Sequence, residues 1–168
     1  MQHPRAMLPP PEMFMATLSN YERLVAARTL AHVAHAGQVD KAGEPYIGHL
    51  ERVAARAAKE AITSFPSQTL EAIAWLHDVL EDTDVTGEVL RSVGFDDFFI
   101  DSLRILTRTQ GVPATDYYAG IRLYPGLVIV KLADIADNSA PERLAKLDER
   151  TQLRLISKYA KAREALAP

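Results

Sequence analysis

The chain has no cysteine. That absence removes a disulfide scaffold, a zinc-finger module, a thiol nucleophile and an iron–sulfur site. Long apolar runs are missing too, and none approaches the roughly 18 residues that a membrane helix needs. Nor is there a basic excess: 19 Lys+Arg stand against 22 Asp+Glu, a formal net charge of −3. Nucleic-acid binders ordinarily show the opposite balance, so neither nucleic acid nor membrane is expected as a partner. Pro9, Pro10 and Pro11 interrupt the stretch where a secretory signal would carry its apolar segment. A cytoplasmic protein is the expectation.

What is present is an ordinary globular composition, 48% hydrophobic and 24% charged over 168 residues. Such a length can bury a core in one domain without metal or disulfide staples. Pro4 and Pro9 to Pro11 crowd the start of the chain, which predicts an irregular arm over 1–18 and a single domain over 19–168. From Tyr21 the pattern is helical: Leu24, Ala27, Arg28, Ala31 and Ala34 recur at three- and four-residue spacing, and Gly37 supplies a stop. Leu50, Val53, Ala54 and Ala57 mark a second helix over about 47–61. Ser67 reads as the N-cap of a third over 68–81. Further helices are predicted over 86–93, 96–109, 142–147 and 152–166. Leu127 to Val130 alone reads as a buried strand. The apolar run continues through Ile135 and Ala136, however, and no second strand-like segment exists to pair with it. The class is therefore all-α, a bundle of about seven to eight helices.

Chemistry concentrates in a few places. His77 and Asp78 fall inside the third predicted helix, where neighbouring side chains project about 100° apart, so one metal can meet both. Glu81 and Asp82 repeat the pair one turn further on. Four ionisable groups on a Trp/Leu/Val-rich helix are costly to bury unless a cation or partner satisfies them. As surface decoration of a helix C-terminus they would oppose the macrodipole. Asp134 sits in another apolar run, with Asn138 one turn later. His49 by itself reads better as a core or capping histidine than as a ligand. Two imidazoles and two carboxylates without a thiolate describe a mixed N/O site for a divalent metal, open to water and substrate. Only the fold can bring His49 and Asp134 to His77.

Three strings carry a resemblance: AHAGQVDKAGEPYIGH from Ala34 to His49, LHDVLEDT from Leu76 to Thr83, and VKLAD from Val130 to Asp134. In order and spacing they resemble the HD-type hydrolase domain of the RelA/SpoT alarmone enzymes. From about Tyr21 to Leu166 the chain is similar to the stand-alone small alarmone hydrolases of that superfamily, including Tyr117 to Ile121 and the helical tail through Tyr159. The resemblance implies an HD-domain helical bundle in which His49, His77, Asp78 and Asp134 hold one divalent metal, usually manganese (Mn2+). It implies that Glu81 and Asp82 position or deprotonate the attacking water. The implied substrate is a nucleoside 5′-diphosphate or triphosphate bearing a 3′-diphosphate, hydrolysed to pyrophosphate and GDP or GTP. Lys41 and Asn138 match positions that contact phosphate or nucleotide, with Asp40 and Tyr46 on the substrate side. His35 and Gln38 are expected to orient the loop.

Two departures touch base recognition. The full-length relatives have Arg-Lys where this chain has Asp40-Lys41, and Arg-Leu-His-Asn where it has Ile135-Ala136-Asp137-Asn138. Adenosine alarmones therefore stay open beside guanosine ones. Asp40 either points into the base pocket, where it could accept from an adenine amino group, or faces solvent on a loop and touches nothing. No synthetase domain is expected within this length. Two other functions compete: an HD nucleotidase or phosphodiesterase acting on another nucleotide, and a catalytically silent nucleotide-binding module. The loop from Lys41 to Tyr46 speaks against the first, and the complete set of ligand and Glu81-Asp82 positions against the second. Oligomeric state has no signal in the sequence.

Overall fold

The computed structural model describes residues 18–167, and the arm expected over 1–18 falls outside them except for its last residue. Ser19 starts the first helix, α1 (Asn20–Ala34), with a capping box: its hydroxyl accepts the Glu22 N–H while the Glu22 carboxylate accepts the Ser19 N–H. The chain then turns through Gly37 and Gly43, both at positive φ (76° and 80°), where a side chain would be strained. It enters α2 (Tyr46–Lys59), which buries His49, Leu50, Val53, Ala54 and Ala57 on one face. α3 (Ser67–Trp75) is enclosed at Thr69, Leu70 and every position from Ala72 to Trp75, because α1 and α2 both pack against it.

Beyond Trp75 the structure corrects the sequence reading. The helix expected over 68–81 ends there, a turn occupies 76–78, and a single helical turn, α4 (Val79–Asp82), follows. Leu76 and Asp78 take bridge-region angles (φ −111°, ψ 10° and φ −105°, ψ 0°), which break the regular helical path. Ser67 is the first helical residue and makes no side-chain cap bond. α5 (Gly87–Val93) and α6 (Asp97–Leu106) are capped by Thr86 and Asp96, whose side chains accept the Val89 and Phe99 N–H groups. α7 (Ala114–Arg122) is a helix that the periodicity left unassigned.

The apolar run over 127–130 is helical, as expected, within α8 (Pro125–Asn138). Pro125 sits at N1, where a missing N–H loses nothing. Gly126 is there for space, since a Cβ would overlap the Phe65 ring. α9 (Pro141–Leu144) and α10 (Glu149–Leu166) complete ten helices among the described residues, more than expected because two of them are only four residues long. There is no named strand among the described residues, only isolated bridges between Val39 and Pro45 and between Ile62 and Phe65. α8 packs on α2, α3, α7 and α10, so its inward face reaches the histidines of α2 and of the 76–78 turn.

Candidate active site

Four side chains predicted from separate stretches converge. α2 supplies His49, the 76–78 turn supplies His77 and Asp78, and α8 supplies Asp134. Single donor atoms of His49, His77 and Asp134 lie within 4.8 Å of one another. His77 Nε2 stands 2.9 Å from Asp78 Oδ2 and 3.7 Å from Asp134 Oδ1, and His49 Nε2 stands 3.9 and 3.5 Å from the same two oxygens. Ligands roughly 2.0–2.2 Å from one ion would be spaced about 3–3.5 Å apart. The observed spacing is close to that.

The ring orientations agree. His77 Nδ1–H donates to the Ala74 carbonyl at 2.8 Å, in the turn that breaks the helix. His49 Nδ1–H donates to Asp137 Oδ2 at 2.8 Å. Each bond fixes its ring and leaves Nε2 facing the carboxylates, as outer partners of metal ligands do. His77 Nε2 is buried and, although Asp78 Oδ2 lies 2.9 Å away, makes no hydrogen bond of good geometry. A buried polar atom left so is costly, and a cation between the rings and the carboxylates would satisfy it. Charge points the same way. Burial disfavours a charged imidazole, yet Asp78 and Asp134 outweigh it and raise the His77 pKa to about 10. Burial likewise pushes the carboxyls up, but the His77 imidazole holds Asp78 at about 2, and Lys131 with the imidazoles holds Asp134 well below the usual range. Two ionised carboxylates and two imidazole nitrogens facing one point are a donor set that suits a divalent metal.

A cleft of about 580 Å³ opens over this cage. The buried Asp134 and the partly buried Asp78 form its floor, and Lys41, Arg108 and Lys158 its exposed rim. None of the three rim cations has an ion-pair partner among the described residues. Burial and the nearby Lys41 and Lys131 charges lower the Lys158 pKa, which is the signature of like charges gathered in one place.

The remaining predicted residues also line the cleft, in roles that differ from a continuous helix. Tyr46 donates its hydroxyl to Asp78 Oδ2 and lies 3.2 Å from Asp82 Oδ2. Burial and the Asp78 charge push its phenol far above the usual value, so it remains a donor. Burial and Asp78 raise the Asp82 carboxyl. Glu81 instead accepts the Arg108 backbone N–H at 2.9 Å, so the two acids diverge rather than stack on His77 and Asp78. Asn138 donates to Asp134 Oδ1 at 2.5 Å. His35 pairs with Gln38 through Nδ1 and stacks on Tyr46 with ring centroids 5.1 Å apart, which orders the loop.

Asp40 requires a correction. Its side chain is only 4% exposed, accepts the Ala42 and Glu44 N–H groups at 2.8 and 3.0 Å, and pairs with Arg143 at 2.8 Å. It lines the cleft but does not face solvent as a free loop residue, because Oδ1 accepts the turn's N–H groups and Oδ2 pairs with the guanidinium. Sequence reasoning missed Arg143, Asp137, Lys131, Arg108 and Lys158. Lys131 had a local signal, lying three residues before Asp134 on one helix, where its ammonium reaches Asp134 Oδ2 at 2.8 Å. Arg143, Arg108 and Lys158 reach the site from other elements, whose packing no local pattern encodes.

No family model matches the chain. A solved structure, described as a metazoan ortholog of SpoT that hydrolyses ppGpp and plays a role in starvation responses, aligns with a TM-score of 0.67 at 19% identity. The alignment covers 96% of this chain and 88% of that one. The two share a fold. Over 69 residues the chain is also 45% identical to the guanosine-3′,5′-bis(diphosphate) 3′-pyrophosphohydrolase of Vibrio cholerae serotype O1, a stretch that is 41% of this chain and 9% of that much longer enzyme. The all-helical architecture expected from the sequence is thus matched in fold along nearly the whole chain. Among the described residues no helix is long and apolar enough to cross a membrane.

Proposed function

We propose that this chain is a metal-dependent hydrolase that removes the 3′-pyrophosphate from (p)ppGpp-type alarmones, releasing pyrophosphate and GDP or GTP. One observation carries the reading: an aspartate–histidine cage suited to a divalent metal lies beneath a rim of cations that have no ion-pair partner among the described residues, the complement of a polyphosphate. The names of the Vibrio enzyme and of the metazoan ortholog support the same substrate. The protein acts as a cytoplasmic single domain over 19–168, with a small nucleotide rather than a nucleic acid or a membrane as its partner.

In this reading His49, His77, Asp78 and Asp134 hold manganese. Such an ion supplies Lewis acidity, making water a usable nucleophile near neutral pH and stabilising phosphoryl charge. The chain's own residues do the rest. Lys41, Arg108 and Lys158 neutralise and orient the phosphates. Asn138, already hydrogen-bonded to Asp134, lies where a nucleotide can reach its amide. Glu81 and Asp82 accept the proton of the attacking water, and burial with the neighbouring Asp78 charge makes the Asp82 carboxylate a stronger proton acceptor than a free one. Tyr46 keeps Asp78 oriented. Water adds to the phosphorus on the ribose 3′ oxygen, the P–O3′ bond breaks, the 3′ oxygen gains a proton and pyrophosphate leaves. Adenosine alarmones stay open beside guanosine ones, with the Asp40 carboxylate held by Arg143 at the cleft.

The test is a manganese-supplemented turnover assay on a panel of guanosine and adenosine nucleotides. Pyrophosphate with GDP or GTP is the expected product pair. Release of phosphate or of a nucleoside monophosphate alone would favour an HD nucleotidase or phosphodiesterase, and nucleotide binding without turnover a silent module.

A further inference from the structure

Asp137 lies one turn beyond Asp134 on α8, with its side chain 3% exposed, and four donor contacts converge on it. His49 Nδ1 reaches it at 2.8 Å, Arg52 Nε and Nη2 at 2.6 and 3.1 Å, and Arg143 Nη1 at 3.1 Å. The other amino group of Arg143, Nη2, lies 2.8 Å from Asp40 Oδ2. Asp40 in turn gathers the N–H groups of Ala42 and Glu44 and so shapes the loop that carries Lys41. One planar guanidinium, 16% exposed at the side chain, thus bridges two enclosed carboxylates. One carboxylate forms the loop, and the other steadies a histidine of the cage. The fork of an arginine can span two such acids, whereas the point charge of a lysine serves one at a time.

We propose that Arg143 is a positioning residue that couples the Lys41 loop to His49. Through Asp137 it fixes the ring orientation in which His49 presents Nε2 to the cage, and through Asp40 it fixes the loop at the cleft. Asp40, which touches none of the four cage residues, therefore influences metal affinity through Arg143. The inference rests on the metal-dependent reading of the site and adds a dependence that a merely structural ion pair would not produce.

The test measures manganese affinity by calorimetry on metal-stripped full-length protein without nucleotide, for wild type, Asp40→Asn, Arg143→Met and the double variant, with circular dichroism to check the fold. Arg143→Met should weaken manganese binding up to about 10-fold, at or below the low end of the effect of losing a direct outer partner of a metal ligand, because Arg143 acts on His49 through Asp137. Asp40→Asn should weaken it several-fold in the wild-type background and not at all when Arg143 is Met, the non-additivity expected of a shared path. Arg143→Lys, which also serves if the Met variant does not fold, should fall between. Equal manganese affinity in wild type, Asp40→Asn and Arg143→Lys would overturn the coupling while leaving the metal reading intact. Additive effects in the double variant would do the same. A wild-type protein that takes up no manganese would overturn the metal reading and the coupling together.

Discussion

At and just beneath the floor of the cleft His49, His77, Asp78 and Asp134 are held by the Asp137 carboxylate, the Ala74 carbonyl, the Tyr46 hydroxyl and the partly buried Lys131. At its rim Lys41, Arg108 and Lys158 stand exposed without an ion-pair partner among the described residues. The floor is ordered in advance around a point, and the rim is left to be ordered by what binds. That division suits a small cation below and an extended, flexible polyanion above. A point charge needs its ligands positioned to within tenths of an ångström, whereas a polyphosphate tolerates mobile lysines and gains affinity from their number.

Breaking the floor should have the largest effect. His77→Ala and Asp134→Ala are expected to lose both bound manganese and turnover, read by metal analysis of the purified variants. Full occupancy in both would sink the ligand assignment. Next comes the proton acceptor. Glu81→Gln should retain metal and nucleotide and lose kcat by a factor on the order of 10²–10⁴, and loss of the metal instead would move Glu81 into the floor. At the rim the effect should be smaller and of another kind. Lys158→Ala should raise KM roughly 10-fold with little change in kcat, as expected for one charge-assisted contact, and the penalty should shrink as salt screens the remaining cations. Unchanged KM across a salt series would show that the rim does not meet the phosphates. The smallest effect belongs to the scaffold. Removing the Thr86 cap of α5 with Thr86→Ala should cost about 1 kcal/mol in denaturant titration and leave KM alone.

The floor was legible in the sequence because an ionisable residue in an apolar helical run, such as Asp134 between Ala133 and Ile135, has few reasons to exist apart from a partner. The all-α class was legible for a similar reason: Leu127 to Val130 had no strand to pair with. What the residues hid was the path of the backbone between Trp75 and Val79. Leu76 and Val79 are both fully buried, so the apolar rhythm runs unbroken through a turn that is not helical. That turn sends Glu81 and Asp82 to different partners. Asp40 was misjudged because its partner, Arg143, lies far along the chain on α9, and an acidic loop residue looks the same whether or not a guanidinium waits for it. Asp137 stood out only as a departure from a resembling pattern. Its task became visible once His49 was seen to lean on it.

Gly126 has a consequence for how this protein can change over generations. A methyl group there would meet the Phe65 ring, and α8 would have to slide or tilt to admit it. Asp134 lies on the same rod, about 12 Å further along at 1.5 Å per residue. Lys131, Asp134, Asp137 and Asn138 would travel with it as one piece. The smallest side chain in the protein is therefore the datum from which the position of its chemistry is measured. A lineage drifting from glycine to alanine at that distant point would dislocate the centre while every residue of the centre stayed the same.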